Sequence, residues 1–167
     1  MKKIIIILLL LSFHSFSYAD KNMKIGSHGK LSDVNRIIKV KMYDNYYEPS
    51  FFNIKAGETI KFEVENFGEL VHEFNIANAL MHMQHQPEME KMVENEILFS
   101  DYIDKKKMKK MAKLDKSMGH SHSNSVLLSP KEKGVLIWKF HNTTNIEIAC
   151  NVPGHYQAGM IAKVSIK

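Results

Sequence analysis

The segment Cys150–Met160 constrains this chain more than any other stretch of its sequence. It reads Cys-Asn-Val-Pro-Gly-His-Tyr-Gln-Ala-Gly-Met and contains the only cysteine of the 167 residues. His155 follows Cys150 by five residues, and Met160 follows His155 by five. A thiolate, an imidazole and a thioether are soft or borderline ligands, which suit copper better than magnesium or calcium. The segment therefore predicts a copper site.

A trigonal arrangement of two histidines and one cysteine, with a weak axial methionine, is typical of blue-copper sites. The segment supplies only one histidine, so the other must come from elsewhere. His72 is the candidate, because it lies in the loop that follows a predicted strand. The predicted metal ligands are therefore His72, Cys150, His155 and Met160, with Met160 as the weak axial ligand that tunes the reduction potential.

The N-terminus has the pattern of a secretory signal peptide. Lys2 and Lys3 precede an apolar run over residues 4–11, and the small residues Ser17 and Ala19 follow it. We predict cleavage after Ala19 and export to the periplasm. The alternative is a membrane anchor, but the apolar run is short of the roughly 20 residues that a spanning helix needs.

Composition narrows the expected partners of the exported chain. Residues 20–167 have the size of one domain. Removal of Lys2 and Lys3 lowers the formal net charge from +5 to +3, which gives no argument for a nucleic-acid partner. A lone thiol in an oxidising compartment reacts unless it is buried or bound, and metal ligation would protect Cys150. We expect a monomer that binds copper ions and has no stable membrane insertion.

Most of the remaining sequence has the pattern of strands. Apolar residues alternate with charged ones over residues 35–44 and again over 59–65, which indicates half-buried strands. Segments rich in β-branched or aromatic residues occur at 134–140, 146–150 and 161–166. Several short strands separated by turns predict an antiparallel sandwich or barrel.

The strand pattern also sets the domain boundaries. Residues 20–34 are polar and predict a flexible N-terminal arm. Pro49 interrupts the aromatic segment 46–54, which predicts an edge strand with a bend. We expect one all-β domain over residues 35–167, with a partly helical insert, rich in methionine, histidine and lysine, at about 77–133.

Three stretches resemble the cupredoxins: residues 52–62 (Phe-Asn-Ile-Lys-Ala-Gly-Glu-Thr-Ile-Lys-Phe), residues 71–74 (Val-His-Glu-Phe) and Cys150–Met160. The resemblance covers about residues 35–76 and 134–167. In that family the cysteine ends the penultimate strand, and the second histidine and the methionine lie in the loop before the last strand. The resemblance implies a Greek-key β-sandwich with a type 1 copper.

The sequence excludes three related copper proteins. A dinuclear electron-transfer centre needs two cysteines, and this chain has one. Multicopper oxidases flank the cysteine with histidines, whereas Ala149 and Asn151 flank Cys150. A copper nitrite reductase needs further histidines and a second domain. We therefore predict no catalytic residues. A metallo-oxidase that converts Cu(I) to Cu(II) stays open as an alternative, and it would need a second, accessible copper.

The insert concentrates methionine and histidine. Seven of the eleven methionines lie in it, and two interpretations are open. Methionines spaced three apart, as at 89 and 92 or at 108 and 111, share a helix face and would serve packing. Alternatively, thioether and imidazole groups would form a second copper site. The candidate residues for that site are Met81, His82, Met83, His85, His120 and His122. Residues 119–125 predict a flexible connector.

This enrichment in a secreted single-domain chain resembles the periplasmic copper-tolerance cupredoxins of the CopI type. The resemblance implies copper sequestration or detoxification. The alternative is a soluble one-electron carrier, which would dock its redox partner through an apolar patch around His155. Val152, Tyr156 and Ala158 are the candidates for that patch, and a bulky insert nearby would obstruct it.

Overall fold

Two five-stranded β-sheets packed face to face form the body of the molecule, as a computed structural model of residues 25–141 and 145–167 describes it. The predicted signal peptide lies outside the described residues. The strands are β1 Gly26–His28, β2 Arg36–Tyr43, β3 Tyr46–Glu48, β4 Phe51–Ile54, β5 Thr59–Asn66, β6 His72–Ala77, β7 Ser125–Leu128, β8 Lys133–Phe140, β9 Glu147–Ala149 and β10 Ile161–Ile166. The prediction of a β-sandwich is confirmed.

The strand order is β1-β8-β5-β2-β3 in the first sheet and β4-β10-β9-β6-β7 in the second. β2 pairs in parallel with β5, and β4 pairs in parallel with β10. The prediction of antiparallel pairing was therefore wrong for these two pairs. Alternation of apolar and charged residues shows which face of a strand is buried, but it carries no information about the direction of the neighbouring strand.

Part of the predicted flexible arm belongs to the first sheet. β1 pairs antiparallel with β8, so that Ser27 lies opposite Lys139. Gly26 permits this approach, because a Cβ atom there would lie 2.3 Å from Nε1 of Trp138. The arm prediction was wrong for this stretch, since main-chain hydrogen bonding and a glycine, rather than an apolar pattern, hold it in place.

The bend predicted at Pro49 is the point where the chain changes sheets. β3 precedes it at the edge of the first sheet, and β4 follows it at the edge of the second. Between the sheets, the ring of Phe62 lies 5.9 Å from that of Phe52, 5.1 Å from Phe74 and 6.2 Å from Phe140, centroid to centroid. These aromatic rings join both sheets into one core.

The insert is partly helical, as predicted. It contains α1 (Ala79–Glu94), α2 (Lys105–Met111) and a 3-10 helix (Lys116–Gly119). The Asn78 side chain accepts a hydrogen bond of 2.9 Å from the amide of Met81, which caps the start of α1. None of the helices in the described part of the chain is long and apolar enough to cross a membrane.

The insert ends earlier than predicted. β7 pairs antiparallel with β6, so residues 125–128 belong to the sandwich and not to the insert. The packing interpretation is confirmed for Met89 and Met92, which are fully buried on one face of α1. Residues 119–125 are not a free connector, because His120 contacts Glu73 and His122 contacts Glu88.

Candidate metal centre

The sandwich brings His72 and Cys150 to one end of the second sheet. His72 is the first residue of β6, and Cys150 follows the last residue of β9. β6 and β9 are antiparallel neighbours, with Asn75 opposite Ala149. His155 and Met160 lie in the loop between β9 and β10. Strand pairing therefore juxtaposes residues that lie 78 positions apart in the sequence.

The predicted ligands converge. One ring nitrogen of His72, Sγ of Cys150 and one ring nitrogen of His155 all lie within 4.8 Å of one another. Nδ1 of His155 is 3.4 Å from the sulfur of Cys150, and the two imidazole centroids are 5.1 Å apart. Met160 is fully buried, and its carbonyl accepts a hydrogen bond of 3.2 Å from the amide of Cys150. His72, Cys150 and His155 thus form one cluster, and the main chain of Met160 is hydrogen-bonded to that of Cys150.

The imidazole of His72 has one ring nitrogen free to bind a metal. Its Nε2 lies 2.8 Å from Oδ1 of Asp44, whereas its buried Nδ1 has no hydrogen-bond partner. An unsatisfied buried nitrogen costs free energy of about 1–3 kcal/mol. A metal ion on Nδ1 would satisfy it, and the contact with Asp44 selects the tautomer that leaves Nδ1 free. A soft metal therefore fits the residues present.

The protonation states agree with this arrangement. Burial lowers the pKa of both His72 and His155, which favours the neutral rings that bind metals. Burial raises the pKa of the Cys150 thiol to about 12, so the metal-free protein holds a protonated thiol at neutral pH. Binding of a metal to the thiolate would release that proton.

Asp44 holds both His72 and the loop before it. The carboxylate accepts hydrogen bonds of 3.2 Å from the amides of Glu69 and Leu70. Burial tends to raise the pKa of Asp44, but the hydrogen bonds from His72 and these amides outweigh burial and hold the pKa below its usual value. Sequence reasoning missed Asp44, because it lies 28 residues from His72 at the end of another strand.

Gly68 leaves the space that this contact requires. A Cβ atom on residue 68 would lie 2.3 Å from Oδ1 of Asp44 and 2.8 Å from Nε2 of His72. Any larger residue would therefore separate the carboxylate from the imidazole.

Replacement of Asp44 by asparagine is expected to weaken metal affinity by about 10–100-fold, the usual effect of removing a carboxylate that orients a histidine ligand. Competition with a chelator of known affinity would measure the change in the dissociation constant. The matched control is Asp33→Asn, which makes the same change at an exposed carboxylate outside this contact. Equal affinities for the two variants would contradict the assigned role of Asp44.

The sulfur of Cys150 has its own hydrogen bond. The amide of Glu73 donates to Sγ over 3.3 Å. The Glu73 carboxylate is fully buried and accepts from Asn151 through the amide at 3.2 Å and through Nδ2 at 2.7 Å. Sequence reasoning missed both residues. The available signal was an acidic residue inside β6, a strand that is buried along its whole length.

The candidate ligands of the insert form other groups than the sequence order indicates. Met83 is 63% exposed, and Nδ1 of His82 lies 3.1 Å from Nδ2 of Asn151, so the run Met81–His85 does not form one group. His85 instead joins His120 and His122, which lie beyond α2. Two groups of three have ligand atoms within 4.8 Å: Glu73, His85 and His120, and His85, Glu88 and His122.

Two proteins that are similar to the chain in sequence share the name CopI. The chain is 36% identical over 148 residues to a copper-resistant cuproprotein CopI of Pseudomonas aeruginosa, an alignment that covers 85% of this chain and 82% of that protein. It is 26% identical over 158 residues to a copper-resistant cuproprotein CopI of Rubrivivax gelatinosus, covering 93% of this chain and 82% of that protein. No family model matches the chain.

Solved structures with a similar fold are cupredoxins. Auracyanin B matches with a TM-score of 0.60 at 12% identity, over 85% of this chain and 96% of its own. The azurin Az-iso2 of Methylomonas sp. strain J matches with a TM-score of 0.54 at 12% identity, over 80% of this chain and 99% of its own. The fold and the relationship to CopI together establish that the chain belongs to the CopI-type cupredoxins.

Proposed function

We propose that this chain is a periplasmic copper-binding protein that contributes to copper tolerance by holding one type 1 copper. Its ligands would be His72, Cys150 and His155, with Met160 as the weak axial ligand. The observation that carries the proposal is the convergence of the first three within 4.8 Å around a buried His72 whose Nδ1 has no hydrogen-bond partner.

The surrounding residues would bind and shield the ion. Asp44 orients His72, and the amide of Glu73 donates to the Cys150 sulfur. Cys150, His72 and Met160 are fully buried, which keeps water away from three of the four proposed ligands. A bound copper would supply one-electron chemistry, while burial and a fixed ligand set would keep it from reacting with other molecules.

Contacts between the insert and the ligand loop favour tolerance over electron transfer. A carrier would present an apolar patch around His155. Here Nε2 of Gln157 donates to Oε1 of Gln86 on α1 over 2.9 Å. The ring of Tyr156 lies 5.6 Å from that of His82, and Val152 is only 7% exposed. Helix α1 therefore occupies part of the surface on which a redox partner would dock. The names of the CopI relatives support the same choice.

Deletion of the gene would test the proposal in the source organism. We expect growth to become sensitive to copper and to stay normal on respiratory substrates. Reintroduction of the wild-type gene should restore tolerance, whereas the Cys150→Ser gene, which lacks the thiolate ligand, should not. A respiratory defect with normal copper tolerance would contradict the proposal and favour the electron carrier. The alternative of a metallo-oxidase that converts Cu(I) to Cu(II) would need a second accessible copper. That alternative stays a prediction.

Replacement of Met160 by leucine is expected to raise the reduction potential and to keep the colour. Leucine preserves the buried volume but removes the weak axial ligand, so the stability cost should stay below about 1.5 kcal/mol. Redox titration followed by visible absorption would measure the potential. Met92→Leu is the matched control, because Met92 is equally buried but lies in α1. If the colour vanished in Met160→Leu, Met160 would be required for copper binding rather than for tuning.

A further inference from the structure

Three histidines of the insert lie beside one another. The ring centroids are 5.4 Å apart for His85 and His120, 4.7 Å for His85 and His122, and 5.4 Å for His120 and His122. The corresponding distance between His72 and His155 in the copper-binding cluster is 5.1 Å. The insert therefore gathers imidazoles as closely as the proposed type 1 centre does.

Two carboxylates contact these three histidines. Oε1 of Glu73 lies 3.1 Å from Nε2 of His85 and 2.8 Å from Nε2 of His120. On the other side of the His85 ring, Oε2 of Glu88 lies 3.0 Å from Nδ1 of His85 and 3.0 Å from Nε2 of His122. His85 is shared by both halves, so the five side chains form one continuous cluster.

Solvent reaches the cluster from one side. A cavity of about 200 Å³ is lined by His85, Glu88 and His122, together with Met81. The side chains of Glu88 and His122 are each 35% exposed, whereas that of Glu73 is fully buried. A metal ion could therefore enter from the cavity and meet a buried carboxylate behind it. Of the proposed type 1 ligands, in contrast, His72, Cys150 and Met160 are fully buried, and His155 is half-buried.

We propose that this cluster forms a second metal site that takes Cu(II). His85 would bind the ion through Nδ1 together with Glu88 and His122, while Glu73, which His120 contacts, lies against Nε2 of His85. Imidazole and carboxylate ligands suit borderline divalent ions such as Cu(II) and Zn(II). Among the divalent first-row metals, affinity for such a site rises to a maximum at copper. The site contains no thiolate, so its Cu(II) form would lack the intense absorption that a cysteine ligand gives.

The second site adjoins the first through one residue. The amide of Glu73 donates to the Cys150 sulfur, and its carboxylate contacts His85 and His120. None of its proposed ligands is a type 1 ligand, so each site can be removed without the other. A metal-free function for the cluster is an ion-pair network that satisfies the buried Glu73 carboxylate. A measurement of metal binding distinguishes a metal site from such a network.

The test uses the untagged exported protein, freed of metal, saturated with Cu(II) and desalted. Bound copper is counted by elemental analysis, and electron paramagnetic resonance identifies its ligands. Wild type should retain two equivalents, one coloured and one colourless with nitrogen and oxygen ligands. The double variant His120→Gln/His122→Gln should lose the colourless equivalent and keep the coloured one. The matched control, His28→Gln, removes an exposed imidazole in β1 and should retain both.

A second variant separates this proposal from the type 1 assignment. Cys150→Ser/His155→Gln removes two type 1 ligands and should still retain the colourless equivalent. Circular dichroism of each variant confirms that the β-sandwich has folded. Retention of one equivalent by wild type, or of the colourless equivalent by His120→Gln/His122→Gln, would overturn the second site. If the wild-type Cu(II) protein had no colour, only the type 1 assignment would be overturned.

Discussion

Replacement of Cys150 by serine is expected to abolish the visible colour of the Cu(II) protein completely. The colour of a blue-copper site depends on the thiolate ligand, and Cys150 is the only cysteine in the chain. A serine oxygen does not supply the sulfur-to-copper transition. Absorption spectra of wild type and variant, at equal protein and copper concentrations, would measure the effect.

The same substitution should leave the metal-free fold intact. Serine is close to cysteine in size, and its hydroxyl could accept the hydrogen bond that the amide of Glu73 now donates to sulfur. Far-ultraviolet circular dichroism of metal-free wild type and variant should therefore coincide. Colour retained by a folded Cys150→Ser protein would require a chromophore that does not involve the thiol, and the type 1 assignment would be wrong.

Replacement of Phe62 by alanine is expected to lower the free energy of unfolding of the metal-free protein by about 3–5 kcal/mol, the usual cost for a large buried aromatic side chain. Phe62 is fully buried and packs against aromatic rings from both sheets. One of these rings belongs to Phe74, two residues after His72 in β6. The cavity would therefore loosen the strand that carries a proposed ligand.

Urea unfolding of the metal-free protein would measure this effect without the stabilisation that a bound metal adds. Phe51→Ala is the matched control: Phe51 lies on β4 and is 49% exposed, so its removal should cost about 1 kcal/mol. A loss at Phe62 no larger than the loss at Phe51 would contradict the position assigned to the aromatic core.

The strands that sequence predicts best are those with one buried face. In β2 and β5, lysine and glutamate alternate with apolar residues, and Ile60, Phe62 and Val64 are buried as the alternation requires. Such a pattern is local, because each residue reports only its own burial. It does not report the partner strand, which explains why the parallel pairs β2–β5 and β4–β10 were missed.

The elements that sequence reasoning did not find depend on contacts with distant strands. β1 is Gly-Ser-His and has no apolar pattern; it exists because β8 offers an edge for hydrogen bonding. β7 is four residues long and follows polar residues, and it becomes part of the sandwich only through pairing with β6. Neither tertiary contact has a signature within the strand itself.

The proposed ligands stand out in the sequence because their chemistry is rare there. One cysteine, followed at fixed spacing by histidine and methionine, limits the interpretations, and His72 follows a recognisable strand. Asp44 and Glu73 act on these ligands through hydrogen bonds, and nothing distinguishes them locally from other acidic residues. The insert shows the same limit, because His85 meets His120 and His122 only after the chain has passed through α2.

Visible absorption and electron paramagnetic resonance of the wild-type protein with Cu(II) would test the central claim most directly. The account predicts an intense band in the red or the blue-violet region, together with a copper signal typical of a thiolate-ligated type 1 site. The band should reach its maximum after one equivalent has bound at the thiolate. A colourless Cu(II) protein at every ratio would contradict the claim that His72, Cys150, His155 and Met160 form a type 1 copper centre.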